Sequence, residues 1–418
     1  MKKIDVLVVG GGPCGLASAV GASSTGASVV VLERASRAGG ILNQCIHNGF
    51  GLHLFNEELT GPEYAERWKE RVKSCKNVQL ITGAFCEEIT KIDTGYSVCA
   101  SSAEGLLEFE AKAVVLAMGC REKPAGSILL AGDRPAGVFT AGCAQRLINI
   151  DGEKIGKRVV ILGSGDIGLI MARRLVCEGA EVVGIYEIMP QSGGLARNIT
   201  QCVRDFDIPL HLSTTVTRVV GKKRVEGVYV APVNERLQPV KELEKFVPCD
   251  TLLLSVGLLP DNEIVSSLGL EWCNVTNSFA VDEYYQTSST GLFCAGNVLH
   301  VNDLVDNVSS EGERAGNFAG IYAKTGLNTN QKIEITHDEH IKYTAPKYIY
   351  DTGEGEAKIS FRVDKNYRRI VISAISGGQE IGKRPSPAVT AGEMQTLTID
   401  KSKIVHDLHL KITVLDEK

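Results

Sequence analysis

Two stretches of the chain share one order of apolar and polar positions. In the first, apolar runs at 4–9 and 28–33 flank a segment of small and apolar residues from about Gly12 to Gly26. Short runs that are apolar at consecutive positions are typical of parallel strands buried on both faces. The pattern therefore predicts a strand, a helix and a second strand. The same order recurs, with elements expected at 158–163, 165–179 and 181–187.

Periodicity also predicts the elements around these two units. Asp306 to Lys324 is expected to be a helix, and one of its faces is lined by small residues, Ala315, Gly316, Ala319 and Gly320. Such a face permits close packing against a loop or a ligand. Further helices are predicted near 61–75 and 193–206, and strands near 78–82, 95–101, 106–110, 113–117, 209–220, 225–231, 250–256 and 291–296.

The pattern changes from about residue 336. Apolar and polar residues alternate over 358–363, 370–375 and 408–414, with glycine, proline, asparagine and aspartate between the runs. Alternation of this kind is typical of strands with one buried face. We therefore predict a small C-terminal all-β module, in which we recognise no catalytic grouping.

Charge and hydropathy narrow the class of protein. The 418 residues include 45 basic and 50 acidic side chains, for a formal charge of −5, which gives no reason to expect nucleic acid or anionic lipid as a partner. No apolar run reaches the ~18 residues that span a bilayer. Asp5 and the turn from Gly10 to Pro13 interrupt a start that could suggest a signal peptide. We expect a soluble, cytoplasmic protein.

Cysteine and histidine spacing gives no sign of a metal or dithiol site. The 12 cysteines include no C-x-x-C pair, so a local redox dithiol, a zinc ribbon or an iron–sulfur ligand set is not predicted. His337 and the segment Asp338 to His340 lack a further ligand at a known spacing. The basic run Lys222 to Arg224 is interpreted as a solvated turn.

The first strand-to-helix turn carries a glycine motif. Gly10-Gly11-Gly12-Pro13-Cys14-Gly15 has the spacing G-x-G-x-x-G, and Glu33 ends the next strand 18 residues after Gly15. Such glycines bring backbone N–H groups and a helix N-terminus up to a pyrophosphate, while the carboxylate binds ribose hydroxyls. Because strand, helix, second strand and acid are all present, we predict a dinucleotide site. Its candidate residues are Gly10, Gly12, Pro13, Cys14, Gly15, Glu33 and Arg34.

The second unit repeats the motif. Gly163-Ser164-Gly165-Asp166-Ile167-Gly168 has the same spacing, and Glu187 follows 19 residues after Gly168. A carboxylate in this position accepts hydrogen bonds from a free ribose 2′-hydroxyl and repels a 2′-phosphate. Residues 188–192 include no Lys or Arg, so NAD(H) is favoured over NADP(H). The candidate residues are Gly163, Gly165, Asp166, Ile167, Gly168 and Glu187.

Over roughly residues 1–325 the sequence resembles the flavoproteins of the pyridine nucleotide-disulfide oxidoreductase family. The resemblance implies an α/β fold with two Rossmann-like dinucleotide-binding domains, in which the NAD domain is inserted into the FAD domain. The first glycine turn would bind FAD and the second NAD(H). The implied limits are 1–122 with 258–330 for the FAD-binding domain, 123–257 for the NAD-binding domain and 336–418 for the β-rich module.

Further segments are similar to other parts of the family's pattern. Segments 117–119 and 255–257 resemble the junctions at which the chain crosses between the domains, and Thr290 to Asn297 resembles the flavin motif. Asn297 stands where the family normally has Asp, which puts one ribitol contact in question. The resemblance adds Gly39, Gly40, Gly119, Gly257, Gly296, Asn297, Glu311 and Gly312 to the cofactor-binding candidates.

The redox disulfide of the family is not expected here. The segment after Gly40 has one cysteine, and no two-cysteine motif occurs between residues 123 and 257. In related enzymes the loop after the double glycine passes the flavin ring, so Cys45 and His47 are candidate catalytic residues. An imidazole suits proton transfer near neutral pH. The competing interpretation is that both residues only pack the loop.

A narrower resemblance rests on three segments, 39–50, 119–124 and 132–142. They resemble flavoprotein subunits of multi-subunit dehydrogenases, a group that includes hydrogen cyanide synthase, opine oxidase and heterotetrameric sarcosine oxidase. The length, the β-rich tail and Ala391 to Met394 resemble bacterial NAD/FAD-dependent oxidoreductases that accompany a glycerol-3-phosphate dehydrogenase-like flavoprotein and a small cysteine-rich protein. Both proteins are therefore implied as partners, and oligomerisation is compatible with this resemblance.

These inferences predict an FAD-dependent oxidoreductase that transfers hydride between NAD(H) and flavin and passes electrons to a partner subunit or a small acceptor. Three alternatives stay open. An amine-, opine- or glycerol-3-phosphate-type substrate could reduce the flavin within a dehydrogenase complex. The chain could be a cofactor-binding scaffold subunit with little turnover of its own. It could also be a peroxide- or oxygen-reducing NADH oxidase in which Cys45 forms a sulfenic acid.

Overall fold

The computed structural model describes residues 1–327, 329, 331–351 and 353–415. The chain divides into two compact units, one made of Met1–Cys120 with Pro260 onward and the other of Arg121–Leu259. The predicted domain limits at residues 330 and 418 lie outside the described residues. The α-helices of the described part are α1 (Pro13–Ser24), α2 (Gly61–Ser74), α3 (Ala141–Asn149), α4 (Asp166–Cys177), α5 (Ala196–Cys202) and α6 (Val305–Thr325).

The first unit is built around the strand Lys2–Val9, whose central residues are fully buried. Strands Val29–Glu33 and Gly105–Leu116 pair with it in parallel, as the apolar runs predict. The order across the sheet is Val78–Thr82, Val29–Glu33, Lys2–Val9, Gly105–Leu116, Gly95–Ser102 and Ala84–Ile92, with Leu292–Cys294 also paired to Gly105–Leu116. Short antiparallel pairs join Asn48–Phe50 to Leu59–Thr60 and Trp272–Cys273 to Ser278–Phe279.

One long strand, Gly105–Leu116, replaces the two strands predicted at 106–110 and 113–117. Lys112 interrupts the apolar run, but its exposed ammonium forms an ion pair with Asp5 at 2.9 Å, so the extended backbone continues past it. Strand Ala84–Ile92 was not predicted. Its solvent face carries charged residues, and the alternation that marks a half-buried strand is broken by a bulge between Cys86 and Glu88.

The small-residue face of α6 packs against α1 rather than against a loop or a ligand, which corrects the prediction. A Cβ added to Gly316 would lie 2.0 Å from the carbonyl oxygen of Ser18, and one on Gly312 would lie 2.3 Å from that of Cys14. The two helix backbones therefore approach to a distance that only glycine permits. This contact fixes α6 beside the helix of the first glycine motif.

The second unit has a parallel sheet in the order Val138–Thr140, Thr251–Leu254, Arg158–Leu162, Glu181–Tyr186 and Leu210–His211. A second sheet has the order Ala131–Gly132, Thr214–Val220, Gly227–Pro232 and Lys245–Pro248. The predicted helix at 193–206 is shorter, because it starts after the Gly193-Gly194 pair and the chain turns at Asp207, whose φ is +50°. Ser213, with φ of +49°, likewise divides the strand predicted at 209–220.

The C-terminal region is rich in β-structure, as the alternation predicts. One sheet has the order Tyr348–Tyr350, Lys332–His337, Leu408–Val414, Tyr367–Ser376 and Gln379–Val389, and the other has Ile341–Ala345, Glu356–Val363 and Gln395–Asp400. Their inward side chains, among them Ile359, Phe361 and Ile372, form a separate apolar core. Over the described residues, none of the helices combines the length and the apolar surface needed to cross a bilayer.

Polar contacts join this β-rich region to the rest of the first unit. Lys401 is buried and its ammonium lies 2.9 Å from both carboxylate oxygens of Glu283. Next to Glu283, the carboxylate of Asp282 accepts a hydrogen bond of 3.1 Å from the hydroxyl of Tyr350. Because charged groups are rarely buried without partners, these contacts make the β-rich region an integral part of its unit.

Candidate functional site

The first glycine turn combines two glycines that the fold requires with one that leaves space. Gly10 has a φ of +104°, and a Cβ on Gly15 would lie 1.7 Å from the carbonyl oxygen of Gly10. Gly12 differs, because the nearest atom to its Cβ position is the Cα of Gly40 at 3.9 Å. The turn is therefore tight on its inner side and open above Gly12, which suits the close approach of a phosphate.

Helix α1 starts at this turn with its first N–H groups free of side-chain caps. Gly12 is the N-cap and Pro13 occupies the first helical position, where a missing N–H costs nothing. Such an N-terminus carries a partial positive charge that attracts anions. The Cys14 side chain is buried, and burial raises the pKa of its thiol well above the usual range. Cys14 can therefore contribute to anion binding only through its backbone.

Glu33 ends the second strand and is held against the same turn. Its Oε2 accepts a hydrogen bond of 2.8 Å from the N–H of Gly11, and its Oε1 accepts one of 2.7 Å from Ala35. A carboxylate can accept about four hydrogen bonds, so capacity remains for ribose hydroxyls. The neighbouring Arg34 is exposed and forms an ion pair with Asp261 at 3.5 Å.

The second turn has the same construction in the second unit. A Cβ on Gly163 would lie 2.1 Å from the carbonyl oxygen of Ser255, and Gly168 packs on the Ser255 side chain. Gly165 caps α4 without a side-chain hydrogen bond. Glu187 accepts hydrogen bonds from the N–H and the hydroxyl of Ser164, at 2.8 and 2.7 Å. The N–H of Gly168 donates a hydrogen bond of 3.1 Å to the Ser255 hydroxyl, while the N–H groups of Asp166 and Ile167 have no side-chain cap among the described residues. The structure thus brings the predicted glycines and acid together around a second helix start.

Asp166 has an evident structural task at this turn. Its Oδ1 accepts hydrogen bonds from the N–H of Leu195 at 2.8 Å and from the side-chain amide of Asn198 at 2.6 Å. These bonds tie the first turn of α4 to α5, while Ile167 packs at the margin of the apolar core. Their assignment to cofactor binding stays a prediction.

The two junction glycines and the double glycine lie in turns. Gly119 and Gly257 have φ values of +75° and +104°. Gly39 donates a backbone hydrogen bond of 2.8 Å to the carbonyl oxygen of Gly11, which places the double glycine beside the first motif. The Gly40 Cβ position lies 3.0 Å from the Cα of Gly12, so the two segments form one wall.

The segment that follows the predicted flavin motif is organised by one buried carboxylate. Glu311 lies 2.8 Å from Nε2 of His300 and accepts hydrogen bonds from the Gly296 N–H at 3.2 Å and from the Asn302 amide at 3.3 Å. Burial opposes its ionisation, but these partners lower the pKa of Glu311. Asn297 uses its side-chain oxygen to accept a hydrogen bond of 2.9 Å from the N–H of Asn302.

Three buried polar atoms near the start of α6 have no partner among the described residues. They are His300 Nδ1, Asn302 Oδ1 and Asp306 Oδ1. Buried polar atoms are nearly always hydrogen-bonded, so their presence fits a polar ligand such as FAD at this place. None of these three residues was predicted from the sequence as part of a site. Their position between the flavin motif and the start of a helix is the signal that could have found them.

Cys45 and His47 lie in the loop after a 3₁₀ helix over Gly40–Gln44. The Cys45 thiol donates a hydrogen bond of 3.3 Å to the carbonyl oxygen of Ile41, and burial raises its pKa to about 12. The His47 Nδ1 lies 3.0 Å from the carbonyl oxygen of Asn48. A neutral thiol is a poor nucleophile, so this geometry favours a packing role for Cys45, and the catalytic assignment of both residues stays a prediction.

Two parallel-sheet units, each with a glycine turn that opens a helix and a buried acid, define an oxidoreductase of the FAD- and NAD(P)-binding class. Among known families, the one described as "Pyridine nucleotide-disulphide oxidoreductase" matches residues 4–312. The chain belongs to this family, whose members are FAD- and NAD(P)-dependent oxidoreductases.

Curated relatives include components of multi-subunit enzymes. An opine oxidase subunit from Agrobacterium tumefaciens is 26% identical over 358 residues, covering 79% of this chain and 67% of the relative. The hydrogen cyanide synthase subunit HcnB of Pseudomonas protegens is 26% identical over 315 residues, covering 69% of this chain and 62% of the relative. The chain therefore spans about two thirds of the length of these relatives.

Solved structures share the fold. The thioredoxin reductase of T. acidophilum superposes with a TM-score of 0.64 at 25% identity, covering 77% of this chain and 98% of that one. An NAD-dependent persulfide reductase from A. fulgidus has a TM-score of 0.58 at 20% identity, covering 91% of this chain and 70% of that one.

Proposed function

We propose that the chain is an FAD-dependent oxidoreductase that transfers hydride between NAD(H) and flavin. The observation that carries the proposal is the repeated glycine turn, each with a glycine N-cap that opens a helix and a buried acid, Glu33 in one unit and Glu187 in the other. Bound FAD would supply the redox chemistry, which the side chains of the described residues do not supply by themselves.

The residues of the first unit would bind and orient FAD. The open side of Gly12 and the start of α1 would accept the pyrophosphate, and Glu33 would accept hydrogen bonds from the ribose. His300, Asn302 and Asp306 would provide hydrogen-bond partners for the polar parts of the cofactor, because each has a buried polar atom to satisfy. The proposed FAD-binding domain comprises 1–122 and 258–330.

The residues of the second unit would bind NAD(H), in a domain proposed to comprise 123–257. Glu187 lies at the position that contacts the 2′-hydroxyl in such turns, and its negative charge disfavours a 2′-phosphate. Met189 donates a hydrogen bond of 2.9 Å to the second oxygen of Glu187, which further fixes the carboxylate. NAD(H) is therefore proposed over NADP(H).

A second candidate function is that of a flavoprotein subunit in an amine-, opine- or glycerol-3-phosphate-type dehydrogenase complex. Relatives named as subunits of opine oxidase and hydrogen cyanide synthase favour it. In that case a partner subunit or a small acceptor would take the electrons, and an organic substrate could take the place of NADH as the donor.

Anaerobic spectroscopy of the FAD-reconstituted protein tests these proposals. Bleaching of the flavin band by NADH within seconds would support the first function, and bleaching by an opine or an amine but not by NADH would support the second. A protein that binds FAD but is reduced by neither donor would act as a scaffold. Failure to bind FAD would contradict all of these proposals.

A further inference from the structure

A polar pocket lies between α6 and the strand Glu356–Val363 of the β-rich region. On one side, Asn307, Ser310 and Arg314 occupy one face of α6, since positions three and four apart lie together on a helix. On the other side are Lys358 and Ser360, with Thr396 from the neighbouring strand. Both walls belong to the same compact unit.

The two basic residues on the pocket side of this strand differ in whether they have an acidic partner. Lys358, Ser360 and Arg362 share one face of the strand because side chains alternate. Arg362 is paired, since its guanidinium donates hydrogen bonds to Asp303 at 2.7 Å and to the carbonyl oxygen of Val301 at 2.9 Å. In the part of the chain that the structure describes, Lys358 forms no ion pair.

Arg314 is the second cation at the pocket, and it too has no carboxylate partner among the described residues. Its guanidinium lies 5.5 Å from the centre of the Tyr285 ring, which leaves its N–H groups to be satisfied elsewhere. Glu311 also lines the pocket, but His300, Gly296 and Asn302 already engage both of its oxygens. Two like charges beside one pocket repel each other unless an anion lies between them.

We propose that this pocket binds a small oxyanion, a carboxylate or phosphate group, between Arg314 and Lys358. Guanidinium and ammonium groups are the usual protein partners of such anions. The hydroxyls of Ser310, Ser360 and Thr396 add hydrogen-bond donors to the site. Because one cation belongs to α6 and the other to the β-rich region, the bound anion ties these parts together. The pocket borders the proposed FAD site, because Asn302 also lines it, but Arg314, Lys358 and Ser360 are not among the proposed FAD contacts.

Thermal unfolding of the FAD-loaded protein in inorganic phosphate, at an ionic strength held constant with sodium chloride, tests this site. Binding to the folded state should raise the melting temperature with phosphate concentration. In K358Q and in R314Q, the phosphate concentration needed for the same increase in melting temperature should be at least about tenfold higher than in wild type, because a charge-assisted hydrogen bond to the anion is lost. K342Q is the matched control, since Lys342 is an exposed lysine on the adjacent strand.

The comparison of variants separates this site from other phosphate sites. Phosphate bound at a glycine turn would stabilise K358Q and K342Q equally, and that result would contradict the proposal. An equal increase with sodium chloride alone would contradict it as well. A parallel titration with acetate identifies the anion, because a response to acetate assigns a carboxylate ligand and a response to phosphate alone assigns a phosphate group. If R314Q fails to fold, K358Q and S360A give the same test.

Discussion

Glu33 and Glu187 make equivalent hydrogen bonds in their own units. Each carboxylate accepts a backbone N–H from the second position of its glycine turn, Gly11 or Ser164, and another from the residue two positions after itself, Ala35 or Met189. The acid therefore shapes the turn in addition to its proposed contact with a ribose. The same local hydrogen bonds preform both candidate nucleotide sites.

Replacing Glu187 should change the nicotinamide preference. Glu187→Gln keeps the size of the side chain but removes its charge. We expect the affinity for NADH to fall about tenfold, because a hydrogen bond to a charged group is lost. The preference for NADH over NADPH should become smaller, because the 2′-phosphate is no longer repelled. Steady-state flavin reduction with each dinucleotide measures both effects. Glu181→Gln is the control, because Glu181 is exposed on the same strand and pairs with Arg158 at 2.6 Å, a surface pair that contributes little. An unchanged NADH to NADPH ratio in Glu187→Gln would contradict the assignment.

Two glycines of the first turn should respond in opposite ways to alanine. Gly12→Ala should fold, because the φ of Gly12 is −76° and the atom nearest to its Cβ position, the Cα of Gly40, is 3.9 Å away. The variant should nevertheless bind FAD at least about tenfold more weakly, because the added methyl group occupies the open side of the turn. Gly15→Ala should be unstable, since its Cβ would overlap the Gly10 carbonyl oxygen at 1.7 Å. Circular dichroism melting and FAD fluorescence titration separate folding from binding. Gly126→Ala, with no atom within 4 Å of its Cβ position, is the control.

Cys45 should be dispensable for electron transfer. Its thiol stays neutral at physiological pH, because burial raises its pKa to about 12. In Cys45→Ser, the rate of anaerobic flavin reduction by NADH is therefore expected to stay within about twofold of the wild-type rate. Stopped-flow absorbance measures this rate. His47→Ala in parallel tests the proposed proton transfer, which would appear as a slower rate with an altered pH profile. Peroxide-driven NADH consumption that Cys45→Ser abolishes would restore the sulfenic acid hypothesis.

Stability should fall as the pH rises past the titration of Asp282. Burial raises the pKa of this carboxyl to about 6, against the lowering effect of hydrogen bonds from Gln286, Tyr284 and Tyr350. Above pH ~3.9 the unfolded chain releases a proton that the folded state still holds. The contribution of this proton to the stability of the folded state is therefore complete below pH ~3.9 and is lost as the pH rises through about 6. The stability of wild type relative to Asp282→Asn should therefore fall by on the order of 2 kcal/mol as the pH rises from 4 to 7.

Denaturant unfolding across that pH range measures the difference. Asp400→Asn is the control, because hydrogen bonds from Ser402 lower the pKa of this exposed carboxyl, and its titration ends below the same window. A parallel pH dependence in wild type and Asp282→Asn would show that another group is responsible.

The local parts of the candidate site could be predicted from the sequence, and the long-range parts could not. A glycine turn such as Gly10 to Gly15 is encoded within a few residues, because the spacing itself sets the backbone path. Asn302 is positioned by its hydrogen bond to Glu311, and the proposed role of Lys358 depends on Arg314. Lys358 and Arg314 line the same pocket although they are far apart in sequence, which no periodicity predicts. At Lys112 the local sequence was misleading. Its charge suggested the end of a strand, but its ion pair with the distant Asp5 lets the strand continue.

The buried pair of Lys401 and Glu283 limits where the chain can be shortened. A truncation that removes Lys401 but keeps strand Tyr348–Tyr350, whose Tyr350 N–H also bonds Glu283, leaves the Glu283 carboxylate enclosed without its counter-ion. Removing one member of such a pair typically costs ~3–5 kcal/mol, which is a large fraction of the stability of an ordinary domain. A shortened chain should therefore end before the β-rich region or include Lys401, and not end between the two.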